Sequence, residues 1–138
     1  MDESILKSIA VLYAEDDDYI RMMITRFLKR RVAKVLEAAN GKEGLNLYLS
    51  NKDDINLVIT DIQMPGMNGM AMIDEILKLN ETQPIIITTA YGDEYVANDK
   101  VCRNIIKPID NDELIEAIMS CLGYVLFRHG VRIKEEGG

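Results

Sequence analysis

Short apolar runs alternate along the chain with segments of helical periodicity. The runs predict five β-strands, at Ser8–Ala14, Ala33–Ala38, Ile55–Thr60, Pro84–Thr89 and Arg103–Lys107. The longer runs are apolar almost without interruption, whereas a strand with one solvent-facing side would alternate apolar and polar residues. Continuous apolar strands are typical of a parallel sheet that helices cover on both faces.

Helical patterns fill the intervals between these runs. The predicted helices begin after Asp17 or Asp18, after the Asn40–Gly41 turn, at Gly69 and at Asp110 or Asn111, and the last two of these end at Leu79 and Leu122. Asp and Asn at such starts are common helix caps. Strands that alternate with helices indicate an α/β fold, and right-handed crossovers make that fold doubly wound.

Charged and hydroxyl side chains lie at the predicted carboxyl ends of the strands. Glu15–Asp18 follows the first strand, Asp61 follows the third, Thr89 ends the fourth and Lys107 ends the fifth. Ligands of doubly wound sheets bind outside these strand ends. Taken singly, the acids have plainer interpretations as a helix cap and a turn residue. Their combination with Lys107 favours a site at one edge of the sheet.

The charges of this set predict its chemistry. Three close carboxylates repel one another, which raises the pKa of at least one of them unless a cation lies between them. Oxygen ligands suit Mg2+, which uses few carboxylates and keeps several waters. A carboxylate neutralised by a metal can accept a phosphoryl group. Lys107 and Thr89 would then hold the remaining phosphoryl oxygens.

The composition limits the classes of binding partner and the cellular compartment that can be expected for the chain. The 138 residues fit one domain, and the net charge of -7 argues against a nucleic-acid surface. Lys29–Arg31 is the one basic run, and it is interpreted as a solvated helix end. The N-terminus lacks the basic segment of a signal peptide, and no run approaches the roughly 18 apolar residues of a membrane helix. We therefore expect a cytoplasmic protein without membrane contact.

The two cysteines, Cys102 and Cys121, have neither the spacing of a metal site nor that of a redox pair. They are expected to be two small thiols in or near the core. Unpaired thiols of this kind favour a reducing compartment, in agreement with the cytoplasmic prediction.

Four motifs together identify a family resemblance. "VLYAEDD", "VITDIQMPGMNG", "ITTA" and "IIKPID" stand in the order and spacing of a response-regulator receiver domain of two-component signalling, similar to the chemotaxis regulators. The resemblance covers roughly Ile9 to Leu122. It implies a flavodoxin-like, five-stranded parallel sheet of strand order 2-1-3-4-5. The receiver domain is predicted to span residues 1–122, followed by a tail over 123–138.

The resemblance also implies a role for each residue of the set. Asp61 would be the phosphoacceptor, with a phosphohistidine of a sensor histidine kinase as the donor. Mg2+ would be held by Asp16 directly, by Glu15 through water, by Asp61 and by the backbone carbonyl of Gln63. Lys107 would pair with the acceptor and then with the phosphoryl group, Thr89 would move to bind a phosphoryl oxygen, and Lys107-Pro108 would be cis. Such a chain is a regulatory domain that assists its own phosphorylation and dephosphorylation, rather than an enzyme.

The chain departs from the family pattern in two places. Relatives often carry Tyr or Phe three residues before the lysine, whereas this chain has Asn104. We hypothesise that the switch works through Thr89 and backbone shifts, or that Tyr91 or Tyr95 replaces the missing ring. The interval between Thr89 and Lys107 is also too short for a full fourth helix. It predicts a shortened or irregular helix around Asp93–Asp99 and altered partner contacts.

Two further positions are expected to set the lifetime of the phosphorylated state. Gln63 lies two residues after the acceptor and Tyr91 two residues after Thr89. In the family, side chains at these places govern how water reaches the phosphoryl group. A Tyr ring would shield the group and a Gln amide would orient water, and the sequence leaves the balance open.

The tail leaves several alternatives open. Val125–Phe127 is apolar, so its full exposure to solvent would be costly. This segment would extend the last helix, pack on the domain, lead to an output domain or, with the last helix, pair two chains. The downstream target, the cognate kinase and the oligomeric state are not encoded in any motif.

Three other functions compete with the phosphoacceptor switch. An aspartyl-phosphate phosphatase would typically carry a second Asp where Gln63 stands, and an amide cannot act as a general acid. A flavin or nucleotide binder would need a phosphate-cradling loop after the first strand, where the acids Glu15–Asp18 would repel phosphate. A receiver used only as an interaction module would not need the complete acidic, hydroxyl and lysine set.

Overall fold

A five-stranded parallel sheet forms the centre of the molecule. The computed structural model describes residues 3–90 and 100–128, of which 124–128 are described by their backbone alone. The strands are β1 (Ala10–Ala14), β2 (Lys34–Ala38), β3 (Leu57–Asp61), β4 (Ile85–Thr89) and β5 (Arg103–Ile106). Their order is β2-β1-β3-β4-β5, and each neighbouring pair is parallel. The predicted fold class and strand order are confirmed.

Within the described residues, four α-helices and an N-terminal 3-10 helix surround this sheet. They are the 3-10 helix Glu3–Ser8 and the helices α1 (Asp18–Lys29), α2 (Gly41–Asn51), α3 (Gly69–Leu79) and α4 (Asn111–Arg128). Helix α4 continues past the predicted end at Leu122. Extension of the last helix was one of the alternatives that the sequence left open for the tail. The predicted short helix around Asp93–Asp99 lies outside the described residues. Within the described part of the chain, no helix has the length and apolar character to cross a membrane.

Each α-helix begins at an Asp or Asn side chain that accepts a backbone N–H from three residues further on. The four bonds are Ile20 to Asp17 at 2.9 Å, Glu43 to Asn40 at 2.8 Å, Ala71 to Asn68 at 2.9 Å and Glu113 to Asp110 at 2.9 Å. Such a cap stabilises a helix by about 1 kcal/mol because it satisfies an otherwise unpaired donor. Asp17 and Asp110 are therefore the caps that the sequence had left as one of two choices each.

The sheet separates two apolar cores, because side chains of successive strand residues point to opposite faces. Val11 and Ile59 pack on the face that α1 and α4 cover, whereas Leu12 and Val58 pack towards α2 and α3. Strands β1, β3 and β4 are buried along their whole length, as their apolar runs predicted. The edge strand β2 differs, because it exposes Lys34 and Glu37.

A disulfide joins the residue before β5 to α4. Cys102 and Cys121 are bonded to each other, and neither is a free thiol. The expectation of two thiols is therefore wrong, and the support that it lent to a reducing compartment falls away. Both residues pack against the same core, which places their Cα atoms 5.9 Å apart. That separation is within the ordinary range for a disulfide, and it arises from the fold rather than from any sequence spacing.

Replacing Tyr48 with phenylalanine should destabilise the fold by about 1–2 kcal/mol. The Tyr48 hydroxyl donates to Gln83 Oε1 at 2.7 Å, and both side chains are buried. The Phe variant removes this donor from the buried Gln83 oxygen. Urea denaturation measures the loss, with Tyr19→Phe as the control because Tyr19 is 66% exposed. Equal stability of the two variants would contradict a role for the buried bond.

Candidate functional site

The carboxyl ends of the strands meet at one edge of the sheet, and one lysine bridges two acids there. Glu15 follows β1, Asp61 is the last residue of β3 and Lys107 follows β5. Lys107 Nζ lies 2.9 Å from Asp61 Oδ2 and 2.9 Å from Glu15 Oε1. Residues from three separate strand ends therefore form one charged group.

Burial sets the electrostatics of this group. Glu15 and Asp61 are both buried, with Glu15 only 1% exposed. Removal from water raises the pKa of Glu15, although its bond to Lys107 and the Asp17 N–H oppose the rise. Burial alone would lower the pKa of Lys107, but the bonds to Glu15 and Asp61 outweigh it and raise that pKa. Lys107 therefore remains a cation between two acids.

Asp16 completes an acidic cluster with the two buried acids. Carboxylate oxygens of Glu15, Asp16 and Asp61 all lie within 4.8 Å of one another. Asp16 is exposed, so this side of the cluster is open to water. Mg2+ prefers a few carboxylates and several waters, and this donor set fits that preference. These three side chains are the residues that would hold a metal ion.

The backbone around each acid fixes its orientation. Asp61 Oδ1 accepts the N–H of Ile62 at 2.8 Å, which leaves Oδ2 to Lys107. Glu15 Oε2 accepts the N–H of Asp17 at 3.1 Å. Asp17 therefore organises the cluster through its backbone, while its side chain caps α1.

Arg21 is a residue of the site that sequence reasoning missed. Its guanidinium donates to the Glu15 carbonyl oxygen at 2.8 Å and pairs with Asp18 at 2.7 Å and Glu37 at 3.5 Å. It thus ties the end of β1 to α1 and β2. The spacing of Asp18 and Arg21, three residues apart on one helix, could have indicated the first of these ion pairs.

The loop after Asp61 is held close to β3. The N–H of Gly69 donates to the Ile62 carbonyl oxygen at 2.7 Å. A side chain at Gly69 would collide with the carbonyl oxygen of Asp61, and Gly66 adopts a positive φ of 73° that favours glycine. Gln63, whose carbonyl is the predicted metal ligand, lies in this loop with an exposed side chain. The loop thus returns the chain tightly from Asp61 to α3.

Thr89 and Asn104 form a second polar contact at this edge. The Thr89 hydroxyl donates to Asn104 Oδ1 at 3.2 Å. Thr88 is also buried, and its hydroxyl has no hydrogen-bond partner within residues 3–90 and 100–128. Lys107-Pro108 is cis, as the family resemblance implied. Tyr91 and Tyr95, the proposed substitutes for the missing ring, lie outside the described residues.

Comparison with known proteins finds receiver domains and response regulators among the matches. The family model described as "Response regulator receiver domain" matches residues 11–119. The chemotaxis protein CheY of Thermotoga maritima is 33% identical over 113 residues, which are 78% of this chain and 92% of that protein. The CheY of Bacillus subtilis is 32% identical over 117 residues, 81% of this chain and 96% of that protein.

Longer regulators and solved structures extend the comparison. The match to the transcriptional regulatory protein GlrR of Escherichia coli is 33% identical over 120 residues and covers 84% of this chain but only 27% of that protein. A receiver domain protein from Clostridium thermocellum superposes with a TM-score of 0.81 at 28% identity, over 87% of this chain and 98% of that one. The regulator TrrA of Thermotoga maritima, solved with Mg2+-BeF, gives 0.74 at 29% identity, over 83% and 99%. The chain therefore belongs to the response regulator receiver domain family.

Proposed function

We propose that the chain is a phosphoacceptor switch. It takes a phosphoryl group from the phosphohistidine of a sensor histidine kinase onto Asp61, in a Mg2+-dependent reaction, and thereby changes its partner-binding surface. The observation that carries this proposal is the pairing of Lys107 with both Asp61 and Glu15 beside the exposed Asp16. A buried carboxylate next to a fixed cation and a metal-type donor set is suited to phosphoryl transfer, which depends mainly on positioning and charge neutralisation.

Transfer uses one oxygen of Asp61 as the nucleophile. The new O–P bond forms as the P–N bond to the donor imidazole breaks, and the imidazole leaves with the electron pair. The Lys107 ammonium lies 2.9 Å from Asp61 Oδ2 before transfer. It can therefore contact the incoming phosphoryl oxygens without a conformational change. Glu15, Asp16, Asp61 and the Gln63 carbonyl would hold Mg2+, which neutralises phosphoryl charge when it is bound.

The same residues argue against the competing functions. Gln63 stands where a phosphatase would place its general acid, and an amide has no proton to give in that role. A pure interaction module would have no use for Lys107 held between two buried acids. The chain therefore acts as a regulatory domain that assists its own phosphorylation and dephosphorylation. Gln63 and Tyr91 tune the lifetime of the phosphorylated state.

A downstream partner responds to the phosphorylation state of the chain. That partner is an attached output domain or a separate protein, because the relatives include both long regulators and chemotaxis proteins close to this chain in length. The tail over residues 123–138 is a linker to such a domain or, with α4, a pairing surface between two copies. We place the protein in the cytoplasm, without direct contact to nucleic acid or membrane.

Phosphorylation by a small donor tests the proposal. With Mg2+ and acetyl phosphate, the intact mass of the protein should increase by one phosphoryl group, and peptide mapping after borohydride reduction should locate that group on Asp61. Chelation of Mg2+ should prevent the increase. An unchanged mass in the presence of Mg2+, or a phosphoryl group mapped to another residue, would overturn the proposed function.

A further inference from the structure

The hydroxyl of Thr89 is already engaged when no phosphoryl group is present. Thr89 ends β4 and is 2% exposed, and its Oγ1 donates to Asn104 Oδ1 on β5 at 3.2 Å. The register pairs Thr89 with Ile106 and Ile87 with Asn104, so Thr89 and Asn104 are diagonal neighbours on one face of the sheet. The contact therefore links the end of β4 to the edge strand.

Thr89 is also connected to the charged group. The N–H of Lys107 donates to the Thr89 carbonyl oxygen at 2.7 Å, while the Lys107 side chain reaches Asp61. In the neighbouring register position, Thr88 pairs with Asp61 itself. If Thr89 moves towards Asp61, it therefore moves next to Lys107, whose side chain is bonded to Asp61.

A threonine hydroxyl has one proton to donate. Thr89 cannot give that proton to a phosphoryl oxygen and to the Asn104 amide oxygen at the same time. We propose that Asn104 is a positioning residue of the switch, whose amide oxygen competes with the phosphoryl group for the Thr89 hydroxyl. This inference rests on the proposed function and adds to it the element that couples the site to β5.

The competition has a consequence at the surface of β5. Asn104 is half-buried, and Ile106, the next residue on the same face, is 54% exposed. When Thr89 turns to the phosphoryl group, the Asn104 oxygen loses this donor, so the hydrogen bonding of the Asn104 side chain changes. A polar amide thereby transmits to the exposed face of β5 the change that an aromatic ring transmits in relatives.

Binding of beryllofluoride, a phosphoryl mimic, measures the competition. Replacing Asn104 with leucine removes the acceptor at similar side-chain size, so a larger fraction of molecules has the Thr89 hydroxyl available. The affinity for beryllofluoride in the presence of Mg2+ should increase about two- to tenfold. The same substitution in a Thr89→Val background should leave the affinity unchanged, because no hydroxyl remains to be released. Arg103→Ala, on the opposite face of β5, is the matched control and should bind as the wild type does.

Nuclear magnetic resonance of the unmodified chain gives a readout that does not depend on the Leu variant. The side-chain amide resonances of Asn104 should shift when Mg2+ and beryllofluoride are added to the wild type. In Thr89→Val these resonances should not respond. A purely structural role of Asn104 would not produce this dependence on the Thr89 hydroxyl.

The outcomes separate this inference from the proposed function. If the wild type binds beryllofluoride but Asn104→Leu binds it equally or more weakly, the competition is refuted and the switch function stands. The same holds if Asn104→Leu tightens binding to the same extent with and without the Thr89 hydroxyl, or if the Asn104 resonances of the wild type stay in place. If the wild type binds no beryllofluoride in the presence of Mg2+, the proposed function fails and the inference falls with it.

Discussion

Asp61→Asn should remain folded and lose phosphorylation completely. An asparagine keeps an oxygen that accepts the Ile62 N–H, so the bond at 2.8 Å that orients the side chain survives. The amide has no anionic oxygen to attack phosphorus. Lys107 retains Glu15 as its partner at 2.9 Å. Intact-mass measurement with Mg2+ and acetyl phosphate should show no phosphorylated protein at any time.

Asp53→Asn provides the control for this experiment. Asp53 is an exposed acid just after α2, so the change removes the same charge without touching the acidic cluster. Its phosphorylation should match that of the wild type. A phosphorylated Asp61→Asn protein would mean that another side chain is the acceptor, and loss of phosphorylation in Asp53→Asn would point to an effect of overall charge.

Gly69→Ala should have the largest effect on stability. A Cβ at this position would collide with the Asp61 carbonyl oxygen and would lie 2.9 Å from Ile62 Cα. Both obstacles are backbone, so neither can move aside as a flexible side chain would. We expect unfolding to become easier by at least about 3 kcal/mol. Phosphorylation should fall as well, because the displaced backbone is that of Asp61, the proposed acceptor. Urea denaturation measures the first effect and intact-mass measurement the second.

Gly66→Ala in the same loop is the matched comparison. Gly66 has a positive φ of 73° but nothing within 4 Å of an added Cβ. An alanine there costs about 1 kcal/mol for its left-handed conformation and meets no obstacle. Gly69→Ala should therefore be clearly the less stable of the two. If Gly66→Ala is the more damaging change, then backbone conformation, and not the close approach at Gly69, dominates this loop.

The apolar pattern predicted the central strands well for a physical reason. The runs at β1, β3 and β4 are buried along their whole length, so most of their residues are apolar, and the polar ones stand at the carboxyl ends of β3 and β4. The edge strand β2 exposes Lys34 and Glu37 instead. The bounds of most strands moved by one or two residues because strand ends carry little pattern. The order of the strands came from the family resemblance, since periodicity alone does not determine which strands are neighbours.

The site was predictable where it depended on strand ends and unpredictable where it depended on contacts across the fold. Glu15, Asp61 and Lys107 could be brought to one edge by topology alone. The Thr89–Asn104 bond joins residues of two strands on one face, and its existence depends on side-chain orientation that the sequence does not state. The Cys102–Cys121 disulfide required knowing that the start of β5 lies against α4. From the sequence, Asn104 could be recognised only as a departure from the family pattern of Tyr or Phe at this position. The absence of an aromatic ring does not show which contact replaces it.

The strands that carry the site differ in how many neighbours they have, and they therefore differ in how easily they open locally. Glu15 and Asp61 are attached to β1 and β3, each of which is paired on both sides. Strand β5 is paired with β4 alone among the described residues, so separating it breaks a single ladder. Its amino end is also tied to α4 through Cys102, and just after its carboxyl end the N–H of Lys107 donates to the Thr89 carbonyl oxygen. Asp61 therefore lies on a strand that two ladders hold in place, whereas Asn104 lies on an edge strand that separates when the single ladder to β4 breaks.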